Sequence, residues 1–223
     1  RPPIAWLGIT AFLFGKRTSP NGVTLNWRYP ITEIFTAFMM VLAVAATWNI
    51  EDLPAAQLVF YLIYMAIFSL ITVIDIEHKL ILFVVIIPSV LIALFDAAFL
   101  NYDPVLRDAL IGGAFGFSVF FLMYNGGYLF TYIMGILRGS PINEVAFGYG
   151  DVMLATVSGL ILRWRALIFA MFITVFLGAF GAFLYLATRS IGGGKYSAYT
   201  ALPYGPYIIA GTTIMLLFSA EVA

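Results

Sequence analysis

No cysteine occurs among the 223 residues of the chain, which rules out internal disulfides and thiolate metal ligands alike. Charge is nearly as scarce. Eleven Lys and Arg, eleven Asp and Glu and a single His give a net charge of zero and only 10% charged residues, whereas soluble domains carry about a quarter. No basic stripe is available to neutralise phosphates, which argues against nucleic acid as a partner. Internal repeats, low-complexity tracts and a cleavable signal-peptide pattern are also missing. What fills the sequence is apolar: 63% hydrophobic residues and a mean hydropathy of +1.02 describe an integral membrane protein whose partner is the lipid bilayer.

A span needs roughly 20 apolar residues, and the expected fold is an all-α, polytopic membrane helix bundle of about seven transmembrane helices. The candidate spans are Ile31 to Ile50, Ala56 to Ile74, Leu80 to Leu100, Leu106 to Leu137, Val152 to Leu162, Ala166 to Ala187 and Tyr207 to Ala220. The fifth is too short to cross unless it is continuous with a neighbouring helix or buried in the bundle. The fourth has the opposite problem, because 32 residues at about 1.5 Å each must tilt or project into water. Asn125, Gly126 and Gly127 mark either a bend in it or a small-residue helix contact.

Residues 1–30 form an N-terminal cytoplasmic or interfacial segment, and residues 31–223 the transmembrane domain. "PPIAWLGITAFLFG" is too short to span and fits an interfacial or re-entrant piece, followed by the polar turn "KRTSPNG". With this segment in the cytoplasm, the inner loops carry Arg1, Lys16, Arg17, Arg28, Lys79, Arg138, Arg189 and Lys195, against Arg107, Arg163 and Arg165 outside. The positive-inside rule supports that orientation. It places Asp75 and Asp151 on one side of the membrane, the cytoplasmic one.

Ionisable groups at membrane depth are costly and point to function. Glu33, after Arg28, Tyr29 and Pro30, fits the start of a helix, where a carboxylate favours the dipole. Asp96 reads as interfacial, as do His78 and Lys79. Asp75 ends the run "FSLITVID", and Asp151 opens another behind Gly148 and Gly150 in "GYGDVMLA". Taken singly, each is an ordinary helix-end aspartate, a cap or a surface anchor. Together with their surroundings they carry a likeness.

Four stretches, in order, resemble the type IV prepilin peptidases, which belong to the GxGD class of intramembrane aspartyl proteases: "NWRYPITEIF" (26–35), "DIEHKLILFVVIIP" (75–88), "GYGDVMLA" (148–155) and "LPYGPYIIAG" (202–211). The resemblance covers essentially the whole chain and implies that Asp75 and Asp151 are the catalytic pair. It departs at Leu82, where the family has Pro, and at Met153, where it has Lys. Two Cys-x-x-Cys pairs of the bifunctional members have no counterpart; the second maps onto Thr18 and Asn21, so no zinc is expected. The likeness begins inside the family's cytoplasmic loop, leaving seven spans instead of eight.

Two carboxylates at hydrogen-bond distance share a proton and titrate as a unit, so one can take a proton from water while the other polarises a scissile carbonyl. Proteolysis by such a pair needs no cofactor. Asp151 opens a helix and Asp75 closes one, an asymmetry expected to leave the charge on Asp151 and the proton on Asp75, with Lys79 pulling the other way. Gly148 and Gly150 either let a substrate backbone approach closely and permit positive backbone angles, or form an ordinary loop entering a helix. The implied substrates are prepilin or pseudopilin precursors, cut at the cytoplasmic face of the bacterial inner membrane, with Glu77 and Glu144 available to a basic leader. Many members also methylate the new N-terminus with S-adenosylmethionine; without the cysteines that activity is not inferred, and Glu33 is the accessory residue to examine. The oligomeric state is left open. A proton-coupled membrane transporter using the same carboxylates is the alternative reading.

Overall fold

The structure is a computed structural model that describes residues 8–14, 18, 24, 26–48, 50, 53–99, 105–138, 148–191 and 203–218. Its elements are α1 (Gly8–Leu13), α2 (Arg28–Thr47), α3 (Ala55–His78), α4 (Phe83–Phe99), α5 (Val105–Arg138), α6 (Tyr149–Ile191) and α7 (Gly205–Phe218). Among the described residues the one β feature is an isolated bridge between Thr18 and Thr24. The protein is the all-α membrane bundle that its apolar runs predict. Helices α2, α3, α5 and α6 are long and apolar enough to cross a membrane, while α4 and α7 are apolar but shorter, at 17 and 14 residues.

Two compact units divide the chain, with the boundary inside α3 between Val73 and Ile74. In the first, Glu33 does something other than serve its own helix. Because α2 already begins at Arg28, Glu33 lies beyond its first turn. The carboxylate instead accepts the N–H groups of Gly8 (2.5 Å) and Ile9 (2.9 Å), two of the donors that the start of α1 leaves unsatisfied. Phe12 and Trp27 pack with tilted rings, their centroids 4.5 Å apart. In α3, Tyr64, Phe68 and Ile71 are buried at spacings of four and three residues, so they share a helix face. Asp75, four residues further on, ends that apolar stripe.

The second unit is built around α5, α6 and α7, with α4 against α5 and α6. Glycine lets α5 and the first part of α6 touch backbone to backbone. A Cβ on Gly116 would lie 2.5 Å from the Ala155 carbonyl oxygen, and one on Gly112 2.7 Å from the carbonyl carbon of Arg163; Gly159 packs as closely on Gly112. In lipid, where burial gives helices no hydrophobic reason to associate, such close approach supplies the packing. The small-residue contact anticipated at Asn125 to Gly127 therefore sits a helical stretch earlier. Helix α5 runs unbroken through that segment, and a Cβ on Gly126 would meet nothing within 4 Å.

The fifth and sixth candidate spans are the two arms of α6. They meet at Arg163, whose φ of 62° and ψ of 172° break the helix at a single residue. That backbone region is costly for anything but glycine, about 1–3 kcal/mol, and persists here against the bare face of Gly112. Helix α7 lies against both arms. On the second, a Cβ at Gly178 would meet the Tyr204 ring at 2.8 Å, and one at Gly211 would lie 2.5 Å from the Thr174 hydroxyl. On the first, Thr212 and Ser158 are hydrogen-bonded, 2.8 Å apart. Leu162, Leu167, Ala170 and Met215 close the bend with an apolar cluster. Asp96, expected at the interface, is buried in α4, because that end of α4 packs small residues against α5 through Ala97 and Ala109.

Candidate active site

Helix α3 continues to His78, so Asp75 is not outside the helix but in its last turn, with only 4% of its surface exposed. Its backbone carbonyl accepts the Lys79 N–H at 2.8 Å. Lys79 then turns the chain out with a φ of 53°, the left-handed conformation that commonly terminates helices. An extended stretch, Leu80 to Leu82, leads into α4. At the other end of the Asp75 side chain, Oδ2 accepts the N–H of Gly205, the first residue of α7, at 3.0 Å. A carboxylate that closes one helix thus also sits on the donor end of another.

Asp151 is the third residue of α6, because the helix starts at Tyr149 instead of Val152. Its Oδ2 accepts the Gly148 N–H at 3.1 Å, and its own N–H donates to the Gly148 carbonyl at 3.1 Å. The carboxylate supplies the side-chain-to-N-cap half of a capping box, the other bond being an ordinary backbone turn, and the capping function read from the sequence coexists with burial at 8% exposure. Each aspartate therefore accepts a backbone N–H at a helix N-terminus. Asp75 stays in the last turn of α3, and α7 adds the same kind of partner that α6 gives Asp151.

The supports of Asp75 and Asp151 meet at one residue. Ile81 connects their supports: a Cβ on Gly150 would lie 2.7 Å from its Cβ, and one on Gly205 3.4 Å from its Cδ1. The room left by Gly150 is thus taken by Ile81, and neither Gly148 nor Gly150 uses a positive φ. Tyr204, half-buried just before α7, completes the enclosure; burial first, then the Asp151 charge, pushes its phenol above the ordinary range. Tyr149, which is exposed, lies between the Phe83 ring, tilted at 6.2 Å, and the Tyr124 ring, edge-on at 5.7 Å.

The other candidates lie apart from this pair. Lys79, Glu77 and His78 are exposed, with His78 3.8 Å from the Glu77 carboxylate; Glu33 is engaged with α1. Glu144 and Asn21 lie outside the described residues. Sequence reasoning passed over the Gly205 N–H, Ile81 and Tyr204. The signal was present in "LPYGP", but only as a helix opening, because a backbone donor has no residue-type signature.

A polytopic helical membrane protein with two buried carboxylates, each held by a backbone N–H at the start of a helix, is the class that this geometry defines. The chain belongs to the type IV leader peptidase family, whose profile matches residues 60–183. A prepilin leader peptidase/N-methyltransferase of Myxococcus xanthus (strain DK1622) is 30% identical over 193 residues, 86% of this chain and 51% of that protein. Proteins of the same name from Pseudomonas putida and Bacillus subtilis (strain 168) are 26% and 25% identical, over 89% and 99% of this chain and 61% and 78% of theirs. The chain thus spans about half the length of the Myxococcus relative. No solved structure matches it.

Proposed function

We propose that the chain is an intramembrane aspartyl endopeptidase that cleaves the basic leader from type IV prepilin or pseudopilin precursors, with Asp75 and Asp151 activating water. The observation that carries this reading is the pairing of the two buried carboxylates, each anchored by one backbone N–H, at Gly205 and Gly148. The family and the names of the relatives support the precursor as substrate. The charge balance of the loops supports a site facing the cytoplasm across the bacterial inner membrane.

In this mechanism the pair carries one proton in all. The ionised member takes a proton from water, whose oxygen bonds to the scissile carbonyl carbon, while the protonated member gives its proton to the carbonyl oxygen. A gem-diol results. One of its hydroxyls returns a proton to the second aspartate as the C–N bond breaks, and the first aspartate protonates the leaving amine. No cofactor enters this sequence. The relatives' names add an N-methyltransferase activity, for which S-adenosylmethionine would be the donor. Glu33 offers no support for it, both carboxylate oxygens being taken by α1, and no methyl transfer is assigned.

Cleavage of a prepilin-like substrate in liposomes by the wild type, Asp75→Ala and Asp151→Ala tests the reading. The wild type cuts after the leader, and each variant loses at least about a hundredfold to ten-thousandfold in rate. Equal activity in all three would remove the two-aspartate mechanism.

A further inference from the structure

Asp151 and Ser158 are seven residues apart on α6; Gly205 and Thr212 are seven apart on α7. Seven residues make almost two turns, so each pair shares a helix face, about 10 Å apart along the axis. At one end of this ladder α6 carries Asp151 and α7 carries the N–H that holds Asp75. At the other end the helices are joined by the hydrogen bond between the Thr212 and Ser158 hydroxyls, both only 1% exposed. Helix α7 and the first arm of α6 run in the same direction, and their shared rung lies almost two turns from the site.

We propose that Ser158 and Thr212 are positioning residues for the peptidase reaction: their hydrogen bond sets the axial register of α7 against α6 and so the distance between the two catalytic carboxylates. The inference rests on the peptidase reading above. A slip of one residue along α7 moves its backbone about 1.5 Å, enough to carry the Gly205 N–H away from Asp75. Apolar packing tolerates such sliding better than a hydrogen bond does, because dispersion varies smoothly while the bond weakens steeply with misalignment. Thr212 also lies 2.7 Å from the Ile208 carbonyl. It has a single hydrogen to give. If that hydrogen goes to Ser158, Thr212 is the donor of the interhelical bond, and if it goes to Ile208, Ser158 donates; either way both hydroxyls are required.

Hydrogen bonds between membrane helices contribute modestly to stability, so the fold survives their loss. In liposomes, Thr212→Val in the full chain is expected to lower kcat about tenfold or more, in line with the cost of slight misplacement at a reacting centre, while KM stays within about twofold of wild type. Thr212→Ser restores kcat. Ser158→Ala matches Thr212→Val, and the double variant is no worse than either, as expected for one shared interaction. Should Thr212→Val fail to fold, Ser158→Ala and the Thr212→Ser comparison decide. An unchanged kcat, an effect on KM alone, or additive losses would overturn the proposal while a cleaving wild type leaves the peptidase reading intact. A folded wild type that does not cleave takes down both.

Discussion

Gly205→Ala is the most informative single change at the site. The backbone there is helical and is the first residue of α7, so alanine meets no conformational penalty and by propensity alone would favour the helix by up to about 1 kcal/mol. The surroundings reverse the sign. A Cβ at this position would lie 2.6 Å from Asp75 Oδ2 and 3.2 Å from its Cγ, with Ile81 closing the third side. The carboxylate cannot swing into solvent, because it is buried and its own helix fixes its origin. Either it rotates away and gives up the 3.0 Å bond from the Gly205 N–H, or the start of α7 moves. Overpacking of this kind costs about 1–3 kcal/mol, and a lost hydrogen bond to a charged group about 1.5–3 kcal/mol; these outweigh the propensity gain. On the peptidase reading proposed above, displacing one of the two carboxylates by about 1 Å is expected to lower cleavage by about a hundredfold. The assay is the cleavage rate of a prepilin-like substrate in liposomes, normalised to folded protein, with thermal unfolding measured in parallel. A Gly205→Ala variant with wild-type kcat would refute the assignment of this N–H to the site.

Three further changes test the backbone geometry. Gly159→Ala drives a Cβ into the Gly112 backbone, where no flexible side chain can yield, and should cost about 1–3 kcal/mol or more; Gly126→Ala, facing open space, should be neutral or gain up to about 1 kcal/mol. Thermal unfolding in detergent of both variants decides, and similar midpoints would sink the backbone contact. Lys79→Gly relieves the φ of 53° at an exposed helix end and should stabilise the chain by about 1 kcal/mol. A lower unfolding midpoint for this variant would show that the lysine side chain contributes more than its backbone costs.

The sequence by itself determined the membrane setting, the helical class and the number of apolar runs. These follow from a local rule: backbone in hydrocarbon must satisfy its own hydrogen bonds, and about 20 apolar residues in a row have few other ways to do so. It also singled out Asp75 and Asp151, because ionisable groups are rare enough in such a chain to be inspected one by one. Gly205, Ile81 and the Ser158–Thr212 bond were not legible, being ordinary residue types whose roles depend on what lies across from them. Tertiary structure alone decided that the short fifth run joins the sixth at Arg163, that Gly112 and Gly159 meet, and that Glu33 serves α1. It also decided that α7 begins where α3 ends, so that Asp75 finds a helix N-terminus 130 residues away. A residue's partners across such a separation are fixed by packing between helices, and no pattern of spacing along one helix can encode them.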